Sequence, residues 1–357
     1  MKIILLLGRP QGGGTEAHAS WLLGALNKVG FDTELHTLFP NNSFSYFVEG
    51  FYEALTLFSA RNRFIRLVKI KQVDLVICFG RLANCCGYEI KRQIPGVSLI
   101  ATCRTNRRLP TGYRKTLAVA DLILTNSEWA KQRVLKIPGV KERNTHGMVN
   151  ALLRPALGIL SHNSSVKRQL KLSYGLDPYR PVVSMLAHFV NGKNQEGLIR
   201  LIADKMLPHG TQLLFAGSGP RLRYCQRIVK RLGLESEVRF LGRVVNPSEI
   251  FHISDLIVST SLRDSLPNAL VEAQAAGLPV IAYDLAGIGE VLLHKESGLL
   301  VPAESTEAMA DAIRTLLEND EVRKRYGQRA REHALVHFDP NRVLEDYIRH
   351  ILSLSGN

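Results

Sequence analysis

Short apolar runs alternate along the chain with longer stretches that carry apolar residues at helical spacing. Residues 3–7 form the first run, and residues 73–79 and 97–102 form later ones in the first half. A second series begins at 181–187 and continues through 212–216. Strands that alternate with helices favour parallel sheets covered by helices on both faces. The pattern predicts an α/β protein, and its length of 357 residues predicts two doubly wound, Rossmann-like domains.

Composition marks the division between the two series. Residues 158–180 are rich in Ser, Asn, Lys and Arg, and we interpret them as the connection between the domains. The predicted domains are therefore an N-terminal one at 1–170 and a C-terminal one at 181–337, with a linker at 171–180.

One predicted helix has both ends marked and lies between two apolar runs, 255–261 and 279–283. Ser265 can cap its start, with Pro267 in the first turn, where its missing N–H costs nothing. Gly277 can end it in a left-handed conformation. A ligand of such a unit lies at the carboxyl end of the strand and faces the helix N-terminus, which favours phosphate.

Two acids, Asp264 and Glu272, frame this helix. If most of the span is helical, they lie roughly 12 Å apart, at about 1.5 Å per residue. That is wider than the separation of about 5–9.5 Å between the paired carboxylates of a glycosidase. The spacing suits an extended ligand with hydroxyls at both ends and phosphate between them, as in a nucleotide sugar. A surface helix with an acid at each end is the alternative that the spacing alone leaves open.

A run of glycines at 12–14 follows the first strand and precedes a helix. Glycine at a strand–helix turn lets the backbone approach a ligand closely. The loop contains neither Gly-x-Gly-x-x-Gly nor a following Gly-Lys-Ser/Thr, so it supports neither a dinucleotide site nor a P-loop. By itself it identifies no ligand.

The excess of positive charge lies entirely in the first half of the chain. Residues 1–170 hold 24 Lys and Arg against 10 Asp and Glu, whereas residues 171–357 hold 22 of each kind. The N-terminal half is therefore expected to face an anionic partner: a membrane surface, a phosphorylated acceptor or nucleic acid.

A basic amphipathic helix is predicted at 55–72. Such a helix can lie in a membrane interface, and an ordinary core helix with a solvated basic face is the alternative. The residues predicted to share its apolar face are Leu57, Phe58, Phe64, Ile65 and Val68. The residues that supply its charge are Arg61, Arg63, Arg66, Lys69 and Lys71.

A second basic cluster follows the run at 97–102. It suits an anionic acceptor, with solvated surface as the alternative. Its members are Arg107, Arg108, Arg114 and Lys115.

The sequence predicts a cytoplasmic protein. No apolar run approaches the roughly 18 residues of a membrane-spanning helix, and the apolar stretch at the start is too short for a signal-peptide core. The five cysteines show neither metal-ligand nor disulfide spacing, so they are expected to be reduced and mostly buried.

The helix between the two acids also carries the motif of a known family. Asp264-x7-Glu272 encloses Pro-Asn-Ala-Leu and continues as Glu-Ala-x-Ala-x-Gly-x-Pro-Val. It resembles the acid-x7-acid element of family-4 glycosyltransferases, a retaining, GT-B family similar to the group 1 glycosyltransferases of bacterial envelope glycan and lipopolysaccharide synthesis. In that family the first acid is usually Glu, one methylene longer than Asp264.

The resemblance implies a role for each part of this element. Asp264 would bind hydroxyls of the donor sugar, and Glu272 would bind ribose hydroxyls. The N–H groups of Asn268 and Ala269 would stabilise the charge that develops on the leaving diphosphate.

Three basic side chains match family positions, two of them with a changed residue. Lys193 matches the lysine that grips the donor diphosphate in the family's Gly-Arg-x4-Lys loop. Ala187-His188 replaces Gly-Arg, so His188 offers a hydrogen bond in place of a fixed charge. Arg104 stands where the family commonly has His at a strand end, and it can hold a phosphate.

The remaining donor contacts implied by the resemblance come from loop backbone. Gly13 and Gly14 match the Gly-Gly-x-Glu loop that approaches the donor phosphate or sugar. Gly217 lies in a Gly-x-Gly turn after the strand at 212–216. Arg243 and Val244 follow the glycine of Phe-Leu-Gly and would face the nucleobase.

The resemblance implies a GT-B fold, in which two Rossmann-like domains face across a cleft and 338–357 cross back onto the first domain. It implies a hexosyltransferase-type enzyme that moves a sugar, with retention, from a UDP- or GDP-sugar to a cell-envelope glycan or lipid-linked acceptor such as lipopolysaccharide core. No cofactor or metal is expected, since Asp-x-Asp is absent. The expected location is the cytoplasm, peripheral on the inner face of the cytoplasmic membrane, with an anionic acceptor and no nucleic acid as partner.

Two other interpretations stay open on the sequence. The first is a nucleotide-sugar epimerase or hydrolase of the same fold, which would release an epimer or free sugar without an acceptor. The second is a non-catalytic relative that binds anionic lipid or nucleic acid, as the basic half allows.

Overall fold

The structure, a computed structural model, describes residues 1–9, 13–39, 51–153, 164–285 and 287–354. The chain divides into two compact units, Met1–Leu153 with Pro340–Asn357, and Arg154–Asp339. Each unit contains a sheet of six parallel strands, as the alternation of strands and helices predicts.

The sheet of the first unit has the strand order β2-β1-β3-β4-β5-β6. Its strands are β1 (Lys2–Leu7), β2 (Asp32–Thr37), β3 (Leu75–Phe79), β4 (Ser98–Cys103), β5 (Leu122–Thr125) and β6 (Thr145–Gly147). The helices between them are α1 (Gly14–Lys28), α2 (Phe51–Ile70), α3 (Gly80–Gln93), α4 (Thr111–Val119) and α5 (Glu128–Leu135), with a 3₁₀ turn at Glu142–Asn144.

The sheet of the second unit has the order β12-β11-β10-β7-β8-β9. Its strands are β7 (Val182–Leu186), β8 (Gln212–Ala216), β9 (Val238–Phe240), β10 (Leu256–Ser259), β11 (Val280–Tyr283) and β12 (Gly298–Val301). Its helices are α6 (Ser164–Ser173), α7 (Gln195–Ala203), α8 (Leu222–Leu232), α9 (Ser248–Ile253), α10 (Asn268–Ala275), α11 (Thr306–Glu318) and α12 (Asp320–His337).

The last helix, α13 (Pro340–Ser353), belongs to the first unit. It packs against α1. Between the two helices, Nε2 of His18 and the hydroxyl of Tyr347 form a hydrogen bond over 3.1 Å. Val343, Tyr347 and Ile351 of this helix are buried with the strands of the first sheet. The end of the chain therefore completes one side of the N-terminal core.

Strand β1, in the interior of the first sheet, is apolar without interruption from Ile3 to Leu7 because both faces of the sheet are covered. Ile3, Ile4, Leu5 and Leu6 of β1 have no exposed surface. A sheet with one solvated face shows alternation, whereas a parallel sheet between two layers of helices does not. The predicted buried strands are confirmed by this packing.

The predicted linker differs from the structure. Residues 171–173 end α6, a helix of the second unit that packs against α9. The Nζ atom of Lys171 lies 3.7 Å from a carboxylate oxygen of Asp255, and its side chain is only 5% exposed. The polar composition reflects a helix whose basic residues pair with Asp255, just before the central strand β10. Lys167 of the same helix also pairs with Asp255, at 2.8 Å.

Residues 238–245 have the composition of a strand, but in the structure β9 ends at Phe240. Leu241 still donates its N–H to the carbonyl of Phe215, after which Gly242 turns the chain at a φ of 67°.

The predicted apolar face of α2 is wrong at one position. Phe64, Ile65 and Val68 are buried, but Phe58 is 56% exposed. Phe58 lies within about 20° of the buried Ile65 around the helix, so its exposure comes from its position two turns nearer the start of α2 and not from its side of the helix. The ring of Phe58 instead lies beside the guanidinium of Arg61, 4.8 Å from its centre.

The five cysteines are free, and all except the half-buried Cys85 are buried. Burial raises the pKa of the thiols of Cys78 and Cys86, the latter to about 12. The expectation that the cysteines are mostly buried is confirmed, and their reduced state stays a prediction.

Candidate active site

The order of strands in the second unit reverses between β7 and β10, which lie side by side. In an open parallel sheet, ligands bind beyond the carboxyl ends of the strands at such a switch point. The two segments that leave this point are residues 187–194 after β7 and residues 260–267 after β10. They carry Lys193, His188 and Asp264, which the sequence analysis assigned to a donor site.

Hydrogen bonds join these two segments directly. Leu262 donates its N–H to the carbonyl of Gly192 over 2.7 Å. The hydroxyl of Thr260, which is buried, donates to the carbonyl of Asn194 over 2.8 Å. This connection fixes the position of one segment relative to the other, and it brings Lys193 next to Asp264.

Lys193 and Asp264 form an ion pair. The Lys193 Nζ atom lies 2.6 Å from Oδ1 and 2.5 Å from Oδ2 of Asp264. About one fifth of each side chain is exposed, 21% for the lysine and 18% for the aspartate. The two residues were assigned to different parts of one ligand, and the structure places them in contact at the switch point.

Two glycines after β8 are required by the close approach of the segment after β7. A Cβ atom at Gly217 would lie 1.9 Å from the carbonyl oxygen of Ala187, and one at Gly219 would lie 2.4 Å from that of Phe189. Phe189 also donates its N–H to the carbonyl of Ser218 over 2.9 Å. Gly217 therefore has a structural reason to be glycine, and its predicted contact with a ligand stays a prediction.

His188 is exposed, and its Nδ1 atom lies 3.3 Å from the carbonyl oxygen of Ser218. Its own carbonyl accepts a hydrogen bond from the side-chain amide of Gln195, over 3.0 Å. The backbone of His188 is thus fixed on both sides, while its ring stays accessible to solvent.

The helix between the two acids begins later than predicted. α10 starts at Asn268, and its N-cap is Pro267, so Ser265 is not the cap and Pro267 is not in the first turn. The segment from Asp264 to Pro267 is not helical, and the helical separation of the two acids does not apply. The other end agrees with the prediction, because Gly277 has a φ of 80° and its N–H bonds back to the carbonyl of Gln274.

Asn268 and Ala269 are the first two residues of α10. Their N–H groups therefore lie at the positive end of the helix dipole, where anions are favoured. Glu272 follows one turn later and is 7% exposed. Arg243 is exposed and Val244 is half-buried after the turn that follows β9. The proposed contacts of these residues with a donor stay predictions.

In the first unit, Gly13 is the N-cap of α1 with a φ of −95°, and Gly14 is the first helical residue. A Cβ atom on Gly13 would meet no described atom within 4 Å. Neither its backbone conformation nor its described neighbours require glycine at position 13. Residues 10–12 of the predicted loop lie outside the described residues.

Arg104, at the end of β4, lies in a cluster of polar residues within the first unit. Its Nη2 atom donates to Oδ1 of Asn150 over 2.5 Å, and its guanidinium interacts electrostatically with the hydroxyl of Tyr347. Burial lowers the pKa of Arg104 from its usual value. Burial and the charge of Arg104 hold the pKa of His18 well below its usual range, so this histidine is neutral.

The sequence analysis missed His18, Asn150 and Tyr347. His18 lies on the buried side of α1 with Ala19, Leu22 and Leu26, where the pattern predicts an apolar residue. A histidine inside an apolar stripe is the one local signal of the cluster. Its partner Tyr347 comes from the far end of the chain, so only the folded chain reveals the contact. The donor contact predicted for Arg104 stays a prediction.

The second basic cluster is exposed in all its members. The Lys115 ammonium lies 5.4 Å from the centre of the Tyr88 ring. The exposed members are Arg107, Arg108, Arg114 and Lys115. Their contact with an acceptor stays a prediction.

Among the described residues, no three His, Cys, Asp or Glu side chains are grouped so that they could hold a metal ion. In the same part of the chain, no helix is both long and apolar enough to cross a bilayer.

Comparison with known proteins identifies the class of the second unit. Residues 166–333 match the family model described as glycosyl transferases group 1. This match agrees with the resemblance to group 1 glycosyltransferases found in the sequence, and the narrower assignment to family 4 stays a prediction.

Two curated relatives show where the likeness lies. The N-acetyl-alpha-D-glucosaminyl L-malate synthase of Bacillus anthracis is 31% identical over 179 residues, which cover 50% of this chain and 47% of the relative. The lipopolysaccharide core biosynthesis glycosyltransferase LpsD of Rhizobium meliloti is 29% identical over 167 residues, 47% of this chain and 48% of the relative. The chain thus matches about half the length of each of these relatives.

A solved structure extends the likeness to the whole fold. Anabaena Alr3699/HepE, crystallised in complex with UDP, superposes with a TM-score of 0.80 at 19% identity, over 99% of this chain and 100% of that one. The predicted GT-B fold class, with two Rossmann-like parts, is confirmed by this likeness.

Proposed function

We propose that the protein is a retaining, metal-independent glycosyltransferase that takes a hexose-type sugar from a nucleotide sugar. The observation that carries this proposal is the Lys193–Asp264 ion pair at the switch point, in which Asp264 precedes the first residue of α10 by four positions. Transfer requires departure of a nucleoside diphosphate. A lysine and the first N–H groups of a helix are suited to stabilise the negative charge that grows on the leaving oxygen.

Each site residue has a role in this reaction. Lys193 and the N–H groups of Asn268 and Ala269 hold the diphosphate. Glu272 binds ribose hydroxyls, and Asp264 binds hydroxyls of the donor sugar while it orients Lys193. The acceptor hydroxyl attacks the donor carbon on the face of the leaving diphosphate, whose oxygen receives the proton. No base from the protein is needed for such a step.

The donor is proposed to be a UDP- or GDP-sugar. The structural likeness to a protein crystallised with UDP supports UDP as the first candidate. The backbone after Gly242, at Arg243 and Val244, is proposed to face the base.

The acceptor is proposed to be an anionic cell-envelope glycan or a lipid-linked glycan. The charge of residues 1–170 and the exposed cluster at Arg107, Arg108, Arg114 and Lys115 support an anionic acceptor. The similarity to LpsD, a lipopolysaccharide core biosynthesis glycosyltransferase, supports the same class. We place the protein at the inner face of the cytoplasmic membrane as a peripheral protein.

A thermal-shift screen tests the donor site. A ligand present at 100 times its Kd stabilises the folded state by about 2.7 kcal/mol, so one of UDP, GDP and ADP should raise the melting temperature by several degrees without added metal. Glu272→Ala should abolish that shift, because the ribose loses its carboxylate partner. Glu307→Ala, an exposed acid at the start of α11, is the matched control and should retain it.

Absence of a shift with every nucleotide would contradict the donor site. A shift that Glu272→Ala retains would contradict the ribose contact alone. If a nucleotide sugar is bound but yields free sugar or an epimer in the presence of envelope glycolipids, the protein is a hydrolase or epimerase instead.

Gly13→Ala tests the role of the first unit in the reaction. The φ of −95° is open to alanine and no described atom lies within 4 Å of the new Cβ, so the loss of stability should be limited to the cost of alanine at an N-cap, about 1 kcal/mol or less. If the donor approaches this backbone, the added methyl should slow nucleoside-diphosphate release on the order of tenfold or more.

The control for this variant is Gly24→Ala, in the interior of the same helix and equally free of neighbours within 4 Å. It should leave the rate unchanged. An unchanged rate in Gly13→Ala as well would place the donor away from this loop.

A further inference from the structure

The outer face of α2 combines two features that are usually separated on a protein surface. Phe64, Ile65 and Val68 anchor the helix in the core of the first unit. Two other apolar residues of the helix are exposed, Phe58 by 56% and Ile70 by 81%. These two large apolar side chains lie in solvent near the two ends of one helix face, about 18 Å apart along the axis.

The same face is positively charged. Arg63, Arg66 and Lys69 are exposed, and no described residue forms an ion pair with them. Between Ala54 and Ile70 the helix contains no acidic residue. At about 100° per residue, the two apolar residues and these three cations fall within about 140° of the helix circumference. The face is therefore both basic and apolar.

A groove between α2 and α3 continues this surface. Arg61, Arg66 and Lys69 line it from α2, and Glu89 and Arg92 line it from α3. Among these described lining residues, the one carboxylate is already paired, because Glu89 lies 2.8 Å from the guanidinium of Arg92.

The Arg61 side chain has a hydrogen-bond donor in this groove that an anion could satisfy. Its Nε atom is buried and has no hydrogen-bond partner among the described residues. Its guanidinium is held against the ring of Phe58. An ionised group with an unsatisfied buried donor is costly unless a partner is supplied. A phosphate oxygen is the kind of acceptor that a planar guanidinium binds well.

We propose that this face of α2, together with its groove against α3, docks the protein on the surface of an anionic phospholipid bilayer. Phosphodiester headgroups occupy the groove at Arg61, Arg66 and Lys69, and Phe58 and Ile70 enter the interfacial region. Exposed apolar side chains beside cations favour a bilayer over nucleic acid. The phosphates of a nucleic-acid backbone attract the cations but offer no apolar region for the other side chains, whereas a bilayer offers both. This deepens the peripheral location proposed above, on which it rests, but docking itself needs neither donor nor acceptor.

The charge contribution is tested by co-sedimentation of the full chain with vesicles of phosphatidylcholine, with and without phosphatidylglycerol. The protein should bind only the anionic vesicles. A basic residue near such a surface contributes roughly fivefold to partitioning, so Arg63→Gln/Arg66→Gln/Lys69→Gln should weaken binding on the order of 100-fold.

The matched control removes three exposed cations from a helix of the second unit, as Arg223→Gln/Arg227→Gln/Lys230→Gln in α8. It lowers the net charge equally and should weaken binding only a few-fold. Equal loss in both triple variants would mean that binding follows net charge, which overturns the assigned face. Binding to pure phosphatidylcholine that the charge variant retains would also overturn it.

Insertion is tested separately by tryptophan fluorescence with brominated lipids. The parent chain, with Trp21 and Trp129, gives the background fluorescence. Relative to that background, Ile70→Trp should add fluorescence that is quenched on anionic vesicles, whereas the fluorescence added by Val336→Trp should not be quenched; Val336 is 69% exposed in α12 of the second unit. Equal quenching of both, or of neither, would overturn the insertion of α2. Tighter binding to duplex DNA than to the vesicles, lost in the α2 charge variant, would assign the face to nucleic acid.

The nucleotide thermal shift separates the two proposals. Vesicle-binding variants that keep the shift are folded and retain the donor site, so loss of docking then reflects α2 alone. If no nucleotide binds but the α2 variants still lose vesicle binding relative to the α8 control, docking stands and the transferase proposal fails.

Discussion

Replacement of Lys193 by methionine is expected to lower the rate of nucleoside-diphosphate release on the order of 10²–10³-fold, the usual cost of removing one group that stabilises a developing oxyanion. Methionine keeps much of the length of the lysine chain and removes its charge. Lys193→Arg keeps the charge and should lose less. The measurement is the initial rate with the nucleotide sugar chosen by thermal shift, in the presence of envelope glycolipids.

The ion pair supplies the control for this prediction. Removal of Lys193 alone takes away the cation that faces Asp264, which is only 18% exposed, and this destabilises the fold. The double variant Lys193→Met/Asp264→Asn should recover stability, because the remaining amide carries no charge, and should remain inactive. If Lys193→Met keeps more than about a tenth of the parent rate, Lys193 does not act in the catalytic step.

Gly217→Ala is expected to destabilise the second unit by about 3–5 kcal/mol, through overpacking and backbone strain together. The new Cβ would lie 1.9 Å from the carbonyl oxygen of Ala187, at a φ of 150°. The segment that bears His188 and Lys193 would have to move. In a unit of this size such a loss lowers the melting temperature by roughly 10 °C.

Gly233→Ala separates the two contributions. Gly233 ends α8 at a φ of 68°, and a Cβ there would meet nothing within 4 Å. The free energy of unfolding of this variant should fall by about 1–2 kcal/mol, the cost of the left-handed backbone conformation alone. Equal losses in the two variants, by thermal or urea unfolding, would show that the contact with Ala187 does not constrain the loop.

The sequence predicted the elements that depend on local pattern. The continuous apolar runs predicted parallel strands buried on both faces, and β1 and β7 are such strands. Gly277 predicted the end of α10, because a left-handed residue after a helix favours glycine irrespective of distant contacts. The motif around α10 predicted the family of the second unit, since it lies within one contiguous stretch.

Predictions from local sequence were wrong where a segment's conformation depends on a residue that is distant in the sequence. Ser265 has the chemistry of an N-cap, yet the segment before α10 is shaped by contacts with the segment after β7, and the helix begins at Asn268. The stretch at 171–180 has the composition of a linker, yet Lys171 pairs with Asp255 more than eighty residues away.

The sequence by itself determined the alternation of strands and helices, the concentration of positive charge in residues 1–170 and the residue types of the candidate site. Only the tertiary structure decided that Lys193 and Asp264 form one ion pair, that Arg104 meets Asn150 and Tyr347, and that Phe58 faces solvent beside Arg61. The physical reason is the distance along the chain over which each kind of interaction acts. Periodicity and turn chemistry act between neighbours along the chain, whereas an ion pair or a buried cluster depends on which strands and helices the fold brings side by side.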